Sequence, residues 1–393
     1  MGNYDTQVKT WLEHIRVLSE EIGPRGPTTE GERSGSEYCQ QVLARMAIPS
    51  NWETFRSARS IFQPHLLASI AMLVSFAIYP LAGRVSATLA FLIALLALIS
   101  DLLELSFRNN LLRMIVSKGQ SQNVVATIPP QGEHRQDLIL IGHVDSQRTP
   151  IVFKNTRWLS AYKSFTTIAF VAFALQVLLY GLGAIIQASW IWPASAICAV
   201  CAVLLAAMCI QADRTPFTRG ANDNASAAGL LLALAQHLKE EPLKNTRIWL
   251  ACTGCEEVQH YGAIDFFSRH RSEFTKPRTL VFEMLGCSGP SWLVKEGIVV
   301  PFYADKNMVA LAEKVAEQHP ELAAYPSSIS GGNTEMADAL RIGIPAITLT
   351  GFGPKGEAPY WHMVEDTLDK MDPEIMLRNY AFIWQYIRLI DAT

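Results

Sequence analysis

The stretch Asp137-Leu-Ile-Leu-Ile141-Gly-His143-Val-Asp145 is a short apolar run that ends in an imidazole and a carboxylate. An apolar run of this length, bounded by charge and glycine, predicts a buried strand. A histidine just past a strand end, with a carboxylate two residues later, is typical of a metal ligand and the group that orients it. A histidine that merely bonds its surroundings gives the same pattern, so the motif needs support from the rest of the chain.

Alternating strands and helices surround this stretch. The predicted strands are residues 123–128, 137–141, 246–251, 279–282 and 344–349. The predicted helices are residues 6–22, 31–46, 225–238, 257–268 and 308–318, with a last helix beyond Pro373. The alternation predicts an α/β fold, a three-layer sandwich with a mostly parallel central sheet, whose ligands gather at the carboxyl ends of the strands.

Further acids and a second imidazole stand at the ends of these predicted elements. Asp223 lies in a turn ahead of a helix of small residues, where a plain helix cap is the alternative interpretation. Glu256 and Glu257 follow the third predicted strand, Glu283 ends the fourth, and His362 comes late in the chain. Two imidazoles and three or four carboxylates suit a divalent ion such as zinc or cobalt.

The overall charge argues against a nucleic-acid partner. The 393 residues carry 33 Lys and Arg against 36 Asp and Glu, a net charge of −3, whereas proteins that bind phosphate backbones are strongly basic. Half of the residues are apolar and only 18% are charged, which excludes a disordered chain. Seven cysteines in a chain of this length do not form the dense disulfide framework of a small secreted module.

Long uncharged segments predict membrane spans. Residues 60–83 and 85–100 contain no Lys, Arg, Asp or Glu, and residues 164–212 are 49 consecutive residues without a formal charge. A helix that crosses a bilayer needs ~20 residues, so two hairpins of two helices each fit. Core helices of a large soluble domain are the alternative, but these usually show a polar face. The second pass is expected to be the weakest, because Asp101 and Glu104 shorten it.

The charges beside the hairpins predict an orientation. Each hairpin returns the chain to the side on which it started, so the rest of the chain lies on one side of the membrane. The positive residues that flank the passes on that side are Arg56, Arg59, Arg108, Arg113, Lys118, Lys154, Arg157, Lys163, Arg214 and Arg219. The far turns hold only Arg84, so the positive-inside rule predicts a four-helix integral membrane protein with its soluble part in the cytoplasm.

The two hairpins are predicted to be insertions in one domain. Transmembrane hairpin 1 covers residues 60–105, and transmembrane hairpin 2 covers residues 164–212. Residues 1–59, 106–163 and 213–393 are expected to form a single discontinuous domain, because only the last of these segments is long enough to build a large core alone.

The order of the motifs resembles that of the M28 family of co-catalytic zinc metallopeptidases. The motifs are His143-x-Asp145, the Asn-Asp223-Asn turn, Glu256-Glu257, Glu283 and His362, between an opening Ile22-Gly-Pro-Arg25 and a closing Glu365-Asp366-Thr367. The resemblance covers nearly all of the chain outside the hairpins and implies the fold of zinc-dependent exopeptidases. Glu283 departs from the family, which more often has Asp at that position.

The resemblance also implies two Zn²⁺ ions per chain, with Co²⁺ or Mn²⁺ able to substitute. The implied ligands are His143, Asp223, Glu257, Glu283 and His362. Asp223 would bridge the ions; His143 and Glu283 would complete one site, and Glu257 and His362 the other. Glu256 would be the general base, acting on a water that both ions share, and Asp145 would orient His143.

These roles imply an enzyme, a membrane-anchored aminopeptidase that removes residues from the amino ends of short peptides. Two alternatives stay open: a glutaminyl cyclase-like acyltransferase with a single zinc ion, and a catalytically inactive membrane module that keeps the fold for interaction. Glu335 either contacts a substrate amine or caps a helix. The expected partners are a peptide substrate and the lipid bilayer, while the oligomeric state stays open.

Overall fold

The computed structural model describes residues 4–393, the side chain of Thr156 excepted. Its helices are α1 (Asp5–Arg16), α2 (Glu30–Arg45), α3 (Phe62–Ile78), α4 (Gly83–Leu105), α5 (Leu111–Ile115), α6 (Thr156–Ile186), α7 (Ile191–Ala194), α8 (Ala196–Asp213), α9 (Ser226–Glu240), α10 (Tyr261–His270), α11 (Lys306–Gln318), α12 (Met336–Arg341) and α13 (Pro373–Asp391). Its strands are β1 (Ser50–Ala58), β2 (Lys118–Ile128), β3 (Gln136–His143), β4 (Thr246–Thr253), β5 (Arg278–Glu283), β6 (Ser291–Glu296), β7 (Phe302–Tyr303), β8 (Tyr325–Ser328) and β9 (Ala346–Thr350).

Contacts divide the chain into two units. The α/β unit comprises the chain up to Ser57, Lys118–Gln147 and Phe217–Thr393, and the apolar unit comprises Ala58–Ser117 and Arg148–Pro216. The apolar unit extends beyond both predicted hairpins. It gains residues 106–117 because α5 packs on α3 and α4, and residues 148–163 because α6 begins well before the uncharged segment and is one continuous helix.

The sheet of the α/β unit is mixed, with a parallel centre. Its strand order is β1-β2-β4-β3-β5-β9-β6-β7, and β8 pairs with β6. The four central strands β4, β3, β5 and β9 are parallel, while β2 and β6 run antiparallel to their neighbours β4 and β9. The predicted α/β fold with a mostly parallel centre is confirmed in this form. Parallel strands share one carboxyl edge, and this edge carries the candidate site.

Helices cover the central strands closely. All eight residues of β3 are buried, as expected for a parallel strand that packs on both faces. One group of helices, α1, α9 and α13, packs together, with α9 against the central strands, and another group, α10 and α12, packs against β2, β4, β5 and β9. Gly142 lets α9 approach β3, because a Cβ at this position would lie 2.9 Å from the Cβ of Ala227.

The predicted helix at residues 257–268 was wrong at its start. In the structure α10 begins at Tyr261, and Glu256 and Glu257 lie in a turn between β4 and α10. Carboxylates of distant residues accept hydrogen bonds from the backbone N–H groups of this turn. Carboxylates from other parts of the chain therefore help to hold the turn that carries the two glutamates.

The apolar unit contains three segments long and apolar enough to cross a membrane. They are Gly83–Leu105, Arg157–Ile186 and Ile191–Asp213, whereas α3 has only 17 residues. The expectation that the second pass would be the weakest was wrong, because α4 continues through Asp101 and Glu104. Asp101 Oδ1 lies 2.6 Å from His65 Nδ1, and Glu104 Oε2 lies 3.1 Å from Arg113 Nε. Partners for both acids remove the cost that would have shortened the helix.

Helix α4 buries mostly small residues, and large apolar side chains of the apolar unit are exposed. The buried positions of α4 are Ser86, Ala87, Ala90, Ala94, Ala97, Ser100, Asp101 and Glu104. Exposed residues include Leu178 and Ile185, each 71% exposed, on α6. Small residues at helix contacts and large apolar residues on the outside are typical of helices packed in lipid.

Candidate metal centre

Two imidazoles and three carboxylates converge at the carboxyl edge of the sheet. His143 Nε2 lies 3.6 Å from Asp223 Oδ1 and 3.6 Å from Glu283 Oε2. His362 Nε2 lies 3.4 Å from Asp223 Oδ2 and 3.2 Å from Glu257 Oε2. All five side chains belong to buried residues. The two oxygens of Asp223 thus face different imidazoles, one on each side.

The parallel strands explain why these residues meet. β3 ends at His143 and its neighbour β5 ends at Glu283. β4, on the other side of β3, ends at Thr253, shortly before Glu256 and Glu257. Side chains that follow neighbouring parallel strands emerge at one edge. The turn before α9 brings Asp223 to this edge, and the loop after β9 brings His362.

Asp145 contacts both His143 and the turn between β4 and α10. We call this turn, residues 255–260, the glutamate turn. His143 Nδ1 lies 3.0 Å from the Asp145 carbonyl oxygen and 3.4 Å from Asp145 Oδ1. Because both neighbours are acceptors, Nδ1 donates and Nε2 faces the acidic cluster. The Asp145 carboxylate also accepts the backbone N–H groups of Glu256 and Glu257, each at 3.1 Å. The position of Asp145 is compatible with the predicted orienting role, and the contact with the turn adds a second one.

Asp366 and Arg25 support the turn that carries Asp223. Asp366 accepts the backbone N–H groups of Asn222 at 2.7 Å and Asp223 at 3.0 Å. Burial raises the pKa of Asp366 to about 7. Arg25 is completely buried and donates to the carbonyl oxygens of Val144, at 2.7 Å, and Gly220, at 2.8 Å. Arg25 therefore ties the loop after β3 to the Asp223 turn.

Amide side chains hold two of the other acids. Asn224 Nδ2 donates to Glu283 Oε2 at 3.1 Å, and Gln147 Nε2 donates to Glu257 Oε2 at 3.0 Å. Both amides adjoin motifs that the sequence singles out, but their type alone does not distinguish them from turn residues. In addition, Glu32 accepts the backbone N–H of Cys255 at 2.8 Å, and no sequence pattern points to it.

Glu256 lies beside the cluster with its two oxygens in different surroundings. Glu256 Oε2 is 3.7 Å from His143 Nε2, and Oε1 is 3.0 Å from His260 Nε2. Burial opposes ionisation, but the positive charges of His143 and His260 lower the pKa of Glu256 to about 2. Glu256 is therefore ionised at neutral pH and able to accept a proton.

The remaining charges of the cluster indicate a site for cations. Burial, together with the Glu257 carboxylate, raises the pKa of Asp223 well above its ordinary value. Burial and the Glu256 carboxylate do the same to the pKa of Glu257. Among the described residues, Asp223 Oδ2 and Glu257 Oε1 accept no hydrogen bond. Buried acids with unused oxygens are stabilised by a divalent ion.

The distances between the groups also fit zinc. Atoms that bind zinc tetrahedrally at about 2 Å lie roughly 3.3 Å from one another, and the four contacts of Asp223, Glu257 and Glu283 with the imidazoles are 3.2 to 3.6 Å. Among the described residues, three of these side chains form a group whose ligand atoms all lie within 4.8 Å of one another. They are His143, Asp223 and Glu257. The donor set of imidazole nitrogens and carboxylate oxygens is one that zinc accepts.

Glu335 is buried near the cluster. Its Oε1 accepts a hydrogen bond from the Thr253 hydroxyl at 2.5 Å, and burial raises its pKa to about 8. Glu335 precedes α12, but its side chain makes no capping hydrogen bond there. Of the two predicted roles, helix capping is therefore wrong, and contact with a substrate stays a prediction.

Residues 209–387 match the family model described as Peptidase family M28. The matched residues contain Asp223, Glu256, Glu257, Glu283 and His362. This match covers less than half of the chain. The chain is also similar to aminopeptidase YwaD of Bacillus subtilis strain 168, with 27% identity over 165 residues, 41% of this chain and 36% of YwaD. The similarity thus spans little more than a third of that relative.

Solved structures share the fold of this chain at low identity. A zinc aminopeptidase from Bacillus subtilis has a TM-score of 0.58 and 13% identity, covering 98% of this chain and 95% of that one. A leucine aminopeptidase precursor from Bacteroides thetaiotaomicron has a TM-score of 0.57 and 13% identity, covering 97% and 96%. A glutaminyl cyclase from the same bacterium, bound to N-acetylhistamine, has a TM-score of 0.57 and 13% identity, covering 97% of both chains. Aminopeptidases and cyclases therefore share this fold, and the fold does not separate the two activities.

Proposed function

We propose that this chain is a membrane-anchored exopeptidase of peptidase family M28 with two zinc ions, an aminopeptidase that acts on short peptides. The placement of Asp223 between two imidazoles supports the proposal best. Its Oδ1 belongs with His143 and Glu283, and its Oδ2 belongs with His362 and Glu257. A carboxylate shared by two such groups is what a pair of ions requires. Zinc is our choice because the donors are imidazole and carboxylate.

In this proposal each residue has one task. His143, Glu283 and Asp223 would hold one ion and form the first half-site. His362, Glu257 and Asp223 would hold the other ion and form the second half-site. Bound zinc would supply Lewis acidity toward a substrate carbonyl and make water more acidic. Glu256 accepts a proton from water through Oε2, the oxygen that faces the cluster, and returns it to the leaving amine.

The contacts of His143 with Asp223 and Glu283 argue against a single-zinc cyclase. A site with one ion needs only His362, Glu257 and Asp223, so nothing would require His143 and Glu283 to face Asp223 as they do. The aminopeptidase name of the relative also supports hydrolysis at a free amino end.

The metal content of the detergent-purified chain tests this proposal. After removal of metal with chelator, reloading with zinc and removal of the excess, we expect two ions per chain, since both half-sites are built. Three substrates are then compared: a short peptide with a free amino end, its N-acetylated form, and a peptide that begins with glutamine. Hydrolysis of the free peptide but not of its N-acetylated form, without release of ammonia from the glutamine peptide, supports the aminopeptidase. One ion, with ammonia released from the glutamine peptide, would establish the cyclase instead, and no ion would favour the inactive module.

We further propose that the apolar unit lies in the bilayer and that the α/β unit faces the cytoplasm. Three segments of sufficient length and the outward Leu and Ile side chains support the first part. The positive residues that flank the passes, against Arg84 alone in the far turns, support the second.

Extraction with alkaline carbonate tests the membrane assignment. The full chain is expected to stay in the membrane pellet, because carbonate releases proteins held by charge but not proteins whose apolar helices lie in lipid. An integral and a peripheral marker protein in the same extract serve as controls. Complete release of the chain alongside the peripheral marker would refute the proposal that the apolar unit lies in the bilayer.

A further inference from the structure

A second buried imidazole adjoins the proposed general base. His260 is 2% exposed, and its Nε2 lies 3.0 Å from Glu256 Oε1. On the other side of the ring, Nδ1 lies 2.6 Å from Asp338 Oδ2. These contacts form a hydrogen-bonded series of carboxylate, imidazole and carboxylate that begins at Asp338 on α12 and ends at Glu256. Neither the metal ligands nor the family match accounts for this series.

Backbone contacts fix the position of His260. Its backbone N–H donates to the Glu256 carbonyl oxygen at 2.9 Å, and its φ of +58° lies in the left-handed region. The residue is thus the last of the glutamate turn, directly before α10. Asp338 is itself 3.4 Å from Arg341 Nη1. The imidazole is held by its own turn and by α12 together, so its ring has little freedom to rotate.

The contacts also decide the protonation of the ring. Both ring nitrogens face carboxylate oxygens, so both carry a hydrogen and the ring is positively charged. Burial opposes this charge, but Asp338 and Glu256 raise the pKa of His260 well above its ordinary value. A charged donor between two carboxylates makes stronger hydrogen bonds than a neutral one.

We propose that His260, held by Asp338, is a positioning residue that fixes the Glu256 carboxylate through Oε1 and leaves Oε2 turned toward the metal ligands. The proposal rests on the proposed function, since it assigns His260 to the group that accepts the proton. The geometry supports it because the two oxygens of Glu256 have separate partners: Oε1 faces His260, and Oε2 faces His143 at 3.7 Å.

Loss of the imidazole would free the Glu256 carboxylate to rotate. Residues that orient a catalytic or metal-binding group typically change activity by about 10- to 100-fold when they are removed. The expected loss lies in kcat, because His260 contacts Glu256, which is the proposed proton acceptor and not a proposed metal ligand. KM and the zinc content should therefore stay within about twofold of the unmodified chain.

Four variants test this role. His260→Leu removes the hydrogen bond and is expected to lower kcat by about 10- to 100-fold. His260→Gln keeps a side-chain amide that reaches Glu256 and should restore much of the loss. Asp338→Asn keeps the shape but removes the charge that holds the ring, so a smaller loss is expected. The control is His237→Leu, the same change at a buried histidine that bonds Tyr380 on α13, which should leave kcat unchanged.

A double-variant comparison separates positioning from general structural damage. If His260 acts through Glu256, His260→Leu adds no further loss of kcat when Glu256 is already Gln. Additive losses, or a His260→Leu chain with wild-type kcat, would overturn the proposal while the proposed function stands. An unmodified chain that binds no zinc and hydrolyses no peptide would instead overturn the proposed function, and this role with it.

Discussion

Glu256→Gln is expected to bind the same amount of zinc as the unmodified chain and to lose roughly 10²- to 10⁴-fold in kcat, the usual contribution of a positioned proton acceptor. The amide has nearly the shape of the carboxylate and can still contact His260 at Oε1. It cannot accept a proton at the position that faces His143. Zinc content should not change, because Glu256 is not among the proposed ligands.

Peptide hydrolysis and metal analysis on the same preparation measure both effects. Glu365→Gln is the matched control, since Glu365 is exposed and stands three residues after His362. It should behave like the unmodified chain. Near-normal hydrolysis by Glu256→Gln would remove this residue from the role of base, and loss of zinc would make it a ligand instead.

The central strands were predictable because burial on both faces makes a strand continuously apolar. β3 and β5 lie within a few residues of their predicted bounds. β1 was not predicted, because the polar residues Glu53 and Ser57 occupy buried positions, so its apolar residues do not alternate regularly with polar ones. β7 and β8 have only two and four residues, too few to produce a periodic pattern. Such elements depend on pairing with a neighbour that the sequence does not identify.

The candidate ligands were predictable for a different reason. Each of them adjoins a strand end or a helix start, and their order along the chain resembles a known family. The structure places all five together, and their roles as ligands stay a prediction. Two of the supporting residues, Glu32 and Asp338, were not predictable, because each depends on a contact between distant segments. Glu32 reaches the glutamate turn from α2, and Asp338 reaches His260 from α12, with nothing local in the sequence to mark either.

Asp223→Asn is expected to abolish binding of both zinc ions, because the two oxygens of Asp223 belong to different half-sites. An amide offers one neutral oxygen and one nitrogen that cannot bind metal, so the shared contact is lost. We expect less than one ion per chain and a loss of hydrolysis on the order of 10³-fold or more. Without the metal, neither the Lewis acidity toward the substrate carbonyl nor the increased acidity of the water that Glu256 deprotonates is available.

Two further variants show whether the site holds two ions or one. His143→Ala and His362→Ala each damage a single half-site, so each should keep about one ion per chain, in contrast to Asp223→Asn.

Zinc should also raise the Tm of the unmodified chain, because an ion bound only to the folded state stabilises it, and it should not raise the Tm of Asp223→Asn. The metal-free Asn variant is expected to melt no lower than the metal-free unmodified chain, since burial and Glu257 already disfavour the charged carboxylate. Its loss of zinc would then reflect the missing ligand and not unfolding. If His143→Ala keeps the full zinc content of the unmodified chain, His143 is not a ligand and the proposed division of the ligands between two ions is wrong.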